Sequence, residues 1–158
     1  YPTLAEKMTL VLVGGMRDVE AFADLALPYV TLGTIRDPQA MAKIYRHSSL
    51  LLSTSLFETF GQTLVEALSV GTPVISFQCG GPEDIIRDRE NGRLISPFDT
   101  KAYAEAIVSI LERDPIRDSS AYSPKVCRES TRPFTARAVA EALIQHYRQS
   151  LRPTSTSL

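Results

Sequence analysis

The run Met8–Gly14, Met-Thr-Leu-Val-Leu-Val-Gly, constrains the fold more than any other stretch of this chain. A segment this short and this nearly continuous in apolar character has no solvent side. It predicts a buried strand in a parallel sheet covered on both faces. Four more short strands are predicted downstream, at Tyr29–Leu32, Leu50–Ser53, Pro73–Phe77 and Arg93–Ile95, the last of them edge-like. Pro73 at a first strand position leaves the ladder intact.

Helix signals fill the gaps between these runs. Val19–Leu27 predicts a short helix stopped by Pro28. Asp37-Pro38 reads as an N-cap followed by an N1 proline, with Met41, Ile44 and Tyr45 on one face. Leu64, Ala67 and Leu68 form the apolar side of the next helix, and Gly71 ends it. Gly80-Gly81-Pro82 opens a short helix through Ile86, Asn91-Gly92 turns the chain, and Asp99 caps a helix running to Leu111. Strand–helix alternation with short connections predicts an α/β fold, a Rossmann-like open parallel sheet with helices on both faces. The segment Arg113–Tyr122 is polar and irregular. Ser123–Ser130 predicts a short helix. Phe134, Ala138, Ile144 and Tyr147 belong to a terminal amphipathic helix whose apolar members are expected to face inward. Residues 1–150 are read as one domain and 151–158 as a flexible tail.

Size and charge agree with a single domain. The chain has 158 residues, 44% of them hydrophobic, with 17 basic and 18 acidic side chains. That balance excludes a broad nucleic-acid surface. Cys79 and Cys127 have neither disulfide-framework nor zinc spacing, and His47 and His146 stand in no ligand motif, so no metal site is expected. The cysteines are read as thiols in a reducing compartment, and the chain shows no signal peptide and no membrane span.

The chemistry is expected after the third strand, because doubly wound sheets bind ligands outside the carboxyl ends of their strands. Gly61 allows positive φ or close backbone approach. The helix beginning at Gln62 or Thr63 offers its first amides, Gln62 to Leu64, to an anion such as a phosphate. Glu66 shares a side with Gln62 and Thr63, and a carboxylate there can accept two hydrogen bonds from vicinal hydroxyls such as those of a ribose. Glu58, separated from it by seven residues, can face a second group. Gly81 and Glu83, on the loop after the fourth strand, stand as additional candidates; a first-turn acid favoured by the helix dipole is the structural alternative for Glu83.

The stretch Glu58-Thr-Phe-Gly-Gln-Thr-Leu-Val-Glu66-Ala, followed by Gly71-Thr-Pro-Val, resembles the retaining glycosyltransferases of family 4. Gly80-Gly81-Pro82-Glu83, Asn91-Gly92, Leu12-Val13-Gly14 and Leu32-Gly33 extend the match over residues 8 to 112. The resemblance implies the C-terminal half of a GT-B architecture, the half that binds a nucleotide-diphosphate sugar. It implies that Glu66 grips the ribose and that Glu58 lies beside the donor sugar as the catalytic residue. Thr59, Phe60 and Gly61 would hold sugar hydroxyls, Gln62, Thr63 and Leu64 would meet the diphosphate, and Gly33, Thr34 and Ile35 would flank the base. The family transfers a hexosyl unit with retention, usually without a metal, by a front-face route in which the leaving diphosphate helps deprotonate the acceptor.

That route needs positive charge against the departing phosphate. The resemblance puts the Arg and Lys in a strand–loop segment ahead of Met8, which this chain is expected to lack, together with the first strand and the acceptor-binding N-terminal domain. Lys7 lies outside any glycine-rich loop, and Arg17 is read as a surface residue. Whether the missing strand is edge or central stays open in the sequence. The acceptor implied is a glycan or a lipid-linked molecule, in the cytoplasm or at the inner face of the cell membrane, and peripheral membrane association of the full protein is left open. UDP- and GDP-linked donors are both admitted. Two alternatives stand beside this reading: a sugar-nucleotide epimerase or phosphorylase of the same architecture, and a noncatalytic nucleotide-sugar-binding or docking module.

Overall fold

The structure, a computed structural model, describes residues 6, 8–15, 25–112 and 121–151. Five strands lie among them: β1 Leu10–Leu12, β2 Tyr29–Thr31, β3 Leu51–Ser53, β4 Val74–Phe77 and β5 Gly92–Ile95. Six α-helices alternate with and follow them: α1 Pro38–His47, α2 Gln62–Val70, α3 Gly81–Ile85, α4 Thr100–Leu111, α5 Pro124–Ser130 and α6 Ala136–Ser150, with a 3₁₀ turn at Arg132–Phe134 before the last. Every strand pairing is parallel. The expected helix over Val19–Leu27, the segment from Arg113 to Tyr122 and the tail from Leu151 fall largely outside the described residues, as do Lys7 and Arg17.

The strands form two sheets, β1–β2 and β3–β4–β5. Leu51 pairs with Val74 and Val74 with Gly92, which leaves β5 on an edge, as expected. β4 is the centre of the core, with all four residues buried. Its alternation sends side chains to opposite faces. Val74 joins Leu64, Ala67 and Leu68 of α2, Tyr45 of α1 and Cys127 of α5 on one side. Ile75 and Phe77 join Ile95 and the Tyr103, Ala106 and Ile110 stripe of α4 on the other. Helices thus cover both faces of this sheet, and the doubly wound architecture is present.

Local signals set the element ends. Asp37 accepts from the Gln39 and Ala40 amides at 3.0 and 3.2 Å and caps α1 ahead of Pro38. Asp99 accepts from Ala102 at 2.9 Å and starts α4. Asn91 does more than turn the chain. Fully buried, its side-chain amide donates to the Ile85 carbonyl at 3.1 Å and to Ser130 Oγ at 2.8 Å, while Oδ1 accepts from the Arg87 amide at 2.8 Å. The start of β5 is therefore bolted to both α3 and α5. No disulfide joins Cys79 to Cys127; Cys127 is buried in the core.

Two expectations are corrected. β1 is not covered on both faces among the described residues, since Val11 and Val13 are each 39% exposed and β2 is exposed throughout. A two-stranded sheet has too little area to bury both faces by itself. The terminal helix also does not turn its apolar side inward. Val139, Leu143, Ile144 and Tyr147 are all exposed, and no residue of α6 is buried. Thr135 caps α6 directly after the 3₁₀ turn.

Candidate functional site

The loop from Ser53 to Gly61 leaves the carboxyl end of β3 and is fastened to the loop after β4. The Glu58 amide donates to the Cys79 carbonyl at 3.2 Å, and the Gly81 amide donates back to the Glu58 carbonyl at 2.9 Å. Gly81 sits so close that a Cβ there would overlap the Phe60 backbone. This close approach explains the second glycine of Gly80-Gly81. The two loops form one rigid rim at the sheet edge.

At the end of that rim Gly61 has φ +96° and serves as the N-cap of α2 without a side-chain cap. Its carbonyl accepts from Leu64 and Val65 at 3.0 and 3.4 Å. Among the described residues nothing accepts from the Gln62 and Thr63 amides. Of the three amides expected to meet a diphosphate, two are open and the Leu64 amide is engaged within the helix turn. A Cβ at Gly61 would lie 2.9 Å from Leu64 Cδ1, so the constraint on this glycine comes from the core beneath it as well as from its positive φ.

Glu66 is on the expected face and is held in place. Its Oε1 accepts from Gln62 Nε2 at 3.2 Å and its Oε2 from the Tyr45 hydroxyl at 3.2 Å. Tyr45 was legible only as an apolar-face residue of α1. Its ring is 6% exposed in the core, its carbonyl accepts from Thr72 Oγ1 at 2.6 Å, and its hydroxyl reaches across to α2. Burial, then the Glu66 charge and the bond donated to it, push the Tyr45 phenol up to about 12. The hydroxyl therefore stays a donor, and Tyr45 is the residue that sequence reasoning missed. The i, i+4 spacing from Met41 showed its face; only the pairing of α1 with α2 showed its partner.

Glu58 is used differently. Its Oε1 accepts from the Phe60 amide two residues on, at 3.2 Å, closing the loop on itself. The Phe60 amide, expected to face sugar hydroxyls, is thus engaged by Glu58, while the Phe60 ring, 44% exposed, meets Phe134 edge-on at 5.7 Å. Thr59 is exposed. Glu83 accepts from the Gly80 amide at 3.1 Å and returns its own amide to the Gly80 carbonyl, so its structural alternative, a helix-start acid, is what it does here. Cys79 lies between these acids, and burial, helped by the Glu58 and Glu83 charges, raises its thiol.

A cavity of about 800 Å³ opens between β1 and β3. Thr63, Glu66, Tyr45 and Ser53–Ser55 line its end nearest the rim. Glu58, Gly33, Thr34 and Ile35 are not among its lining residues. Gly33 follows β2, where its carbonyl accepts from Gly14 at 2.8 Å. Glu66 and Thr63 are therefore brought together in one cavity, and Glu58 occupies the neighbouring rim. Among the described residues, none that lines it is a Lys or Arg. Among the described residues no cluster of His, Cys, Asp and Glu could hold a metal ion, and no helix is long and apolar enough to cross a membrane.

The sequence profile described as "Glycosyl transferases group 1" matches residues 1–113. This chain belongs to that family. The domain is 29% identical over 113 residues to a D-inositol 3-phosphate glycosyltransferase of Saccharomonospora viridis; the match takes 72% of this chain and 26% of that protein. The group 1 domain thus spans about a quarter of the curated relative's length. Its fold matches the lipopolysaccharide outer core galactosyltransferase WaaB in its apo form, with a TM-score of 0.78, 24% identity, and coverage of 90% of this chain and 41% of the other. It also matches Anabaena HepE in complex with UDP-glucose, with a TM-score of 0.67 at 25% identity, covering 94% of this chain and 43% of HepE. The Rossmann-like, C-terminal GT-B assignment is correct.

Proposed function

We propose that this domain is the donor-binding part of a retaining glycosyltransferase of family 4. It receives a UDP- or GDP-linked hexose whose hexosyl unit passes to a glycan or lipid-linked acceptor, in the cytoplasm or at the inner face of the cell membrane. One observation carries the reading: a braced carboxylate, Glu66, stands one turn above two open amides at the start of α2. A nucleoside diphosphate fits that pair. The ribose hydroxyls donate to Glu66, and the diphosphate accepts from Gln62 and Thr63 at the positive end of the helix. Glu58 lies on the adjoining rim, beside the sugar in this pose, and Gly33–Ile35 at the end of β2 flank the base. On departure the diphosphate keeps the helix-end amides it already holds, which disperses the charge that develops there. HepE, bound to UDP-glucose, supports the donor class.

A second reading has its own support. Among the described residues, the cavity lining includes no Lys or Arg, which favours a noncatalytic nucleotide-sugar-binding module as the alternative.

Ligand-observed NMR on this chain with UDP, GDP, ADP and their sugar conjugates tests the site. Loss of Glu66 removes charge-assisted hydrogen bonds of about 1.5–3 kcal/mol, so Glu66→Ala weakens every ribonucleoside diphosphate by about ten- to a hundredfold. Unchanged affinity in a folded Glu66→Ala chain would overturn the ribose assignment.

A further inference from the structure

The carboxyl edge of the β3–β4–β5 sheet carries two phenylalanines that the donor site leaves unused. Phe57, between the end of β3 and Glu58, is 94% exposed, and Phe98, in the turn from β5 into α4, is 75% exposed. Neither ring meets another ring among the described residues.

Both rings stand on fixed backbone. Leu56 packs against the cluster that holds Ile95 and Tyr103, and the Glu58 amide donates to the Cys79 carbonyl at 3.2 Å. Phe57 is thus pinned on both sides while its ring stands in water. Phe98 has φ +66°, a left-handed conformation that disfavours a bulky side chain. Arg89 and Tyr122 share that region, and there the residues' own amides are held by the Gly92 and Glu90 carbonyls, at 2.9 and 2.6 Å. The turn at Phe98 is closed by the Asp99 amide on the Ser96 carbonyl at 3.1 Å and the Thr100 amide on the Phe98 carbonyl at 2.8 Å. Glycine would close the same turn without strain. The ring is what phenylalanine adds there, and an exposed ring does not repay the strain by packing. Strain of this kind points to use rather than to folding.

A polar group emerges between them. β4 lies between β3 and β5, and Gln78 is the first residue past its end. The Gln78 amide donates to the Ile95 carbonyl at 2.8 Å, and its exposed side chain has no partner among the described residues. The Tyr103 hydroxyl, one turn into α4, donates to the Ser53 and Ile75 carbonyls at 3.0 and 3.2 Å, which fixes the turn carrying Phe98 relative to the ends of β3 and β4. The exits of three adjacent strands, spread over about 10 Å, therefore carry a ring, a carboxamide and a ring in that order.

This order selects the occupant. A protein or lipid surface asks for a continuous apolar area. Here Gln78 interrupts the rings, and Thr54, Ser55 and Thr59 are exposed around Phe57. A pyranose alternates apolar C–H faces with hydroxyls. Aromatic rings take the first, and a carboxamide, which both donates and accepts, takes the second. Position gives the role. In the donor pose the sugar lies beside Glu58, while the diphosphate and ribose run along α2 towards the cavity that Glu66 lines. Phe57 and the exits of β4 and β5 stand on the other side of Glu58, where a receiving sugar must enter.

We propose that Phe57, Gln78 and Phe98 form a saccharide subsite for the acceptor. Its role in transfer rests on the donor reading above; its affinity for sugar does not.

The test is NMR of the labelled chain with UDP and with α- and β-linked tetrasaccharides of glucose, galactose, mannose and N-acetylglucosamine. The parent is compared with Phe57→Ala, Gln78→Ala and Phe98→Gly. One or more tetrasaccharides should shift the Phe57, Gln78 and Phe98 amides, with affinity falling about threefold or more in each variant. UDP should shift the Gln62 and Thr63 amides equally in parent and variants. Phe98→Gly should keep the parent's melting temperature, which assigns its loss of affinity to the ring and not to the fold. A response to UDP with none to any tetrasaccharide overturns the subsite and leaves the donor reading standing. A response to a tetrasaccharide with none to UDP overturns the acceptor role together with the donor reading. Equal saccharide affinity in parent and variants overturns the assignment to these three residues. So do phosphatidylcholine vesicles that broaden the Phe57 and Phe98 amides where sugars do not, because a membrane surface is then the occupant.

Discussion

The two sheets are both parallel, yet they are built to different standards. β4 buries all four of its residues between helices, and its neighbours are tied by the Asn91 bolt and by the two-loop rim. β1 and β2 pair well with each other but expose Val11, Tyr29 and Val30. The residues are equally apolar in both places. What differs is covering: a strand contributes to stability through what is stacked on its faces, and ladder hydrogen bonds alone leave a two-stranded unit marginal. The half that carries the α2 start and Glu66 is the well-covered half, so the site is positioned by rigid core even where its neighbour is open.

The sharpest way to break this contrast is at the rim. Gly81→Val drives a branched side chain into the Phe60 backbone and should cost more than about 3 kcal/mol, read by chemical denaturation. A variant of near-native stability would show that the two loops are not locked. Next comes the core of the same half. Leu68→Ala, at a fully buried position, should cost about 2–5 kcal/mol. A smaller middle effect belongs to Tyr45→Phe. Its hydroxyl braces Glu66, so UDP affinity should fall several-fold, about 1 kcal/mol, with the fold retained.

Tyr45→Phe also has a pH signature. The folded phenol is raised to about 12 from its ordinary value of 10, so the native state holds the proton more tightly than the unfolded chain. That contribution is complete below pH 10 and is lost as pH rises through 12. The parent chain should lose stability over this window more steeply than Tyr45→Phe; parallel curves would remove the phenol from the account. At the small end, Val30→Ala on the exposed β2 should change stability by no more than about 0.5 kcal/mol. A loss as large as that of Leu68→Ala would erase the difference between the sheets.

Element types were open to reading because their signals are local. Asp37-Pro38, Asp99 and Gly71 act within a few residues of themselves, and each ends or starts the helix it was expected to. The Glu58–Glu66 stretch announced the site for the same reason, since the turn at Gly61 and the first turn of α2 are built from contiguous residues. The identity of the braces was not readable. Tyr45 meets Glu66 across 21 residues, and Asn91 meets Ser130 across 39.

The sequence by itself determined the alternation of strands and helices, the caps, the glycine at the head of α2 and the side of that helix on which Glu66 stands. These follow from backbone preference and from periods of two and 3.6 residues. Only the tertiary structure decided that β1 is half-bare, that α6 carries its apolar face outward, and that a cavity opens between β1 and β3. Burial is a property of what arrives from elsewhere in the chain. An apolar run states that a cover is needed, and no residue within the run says whether one has come.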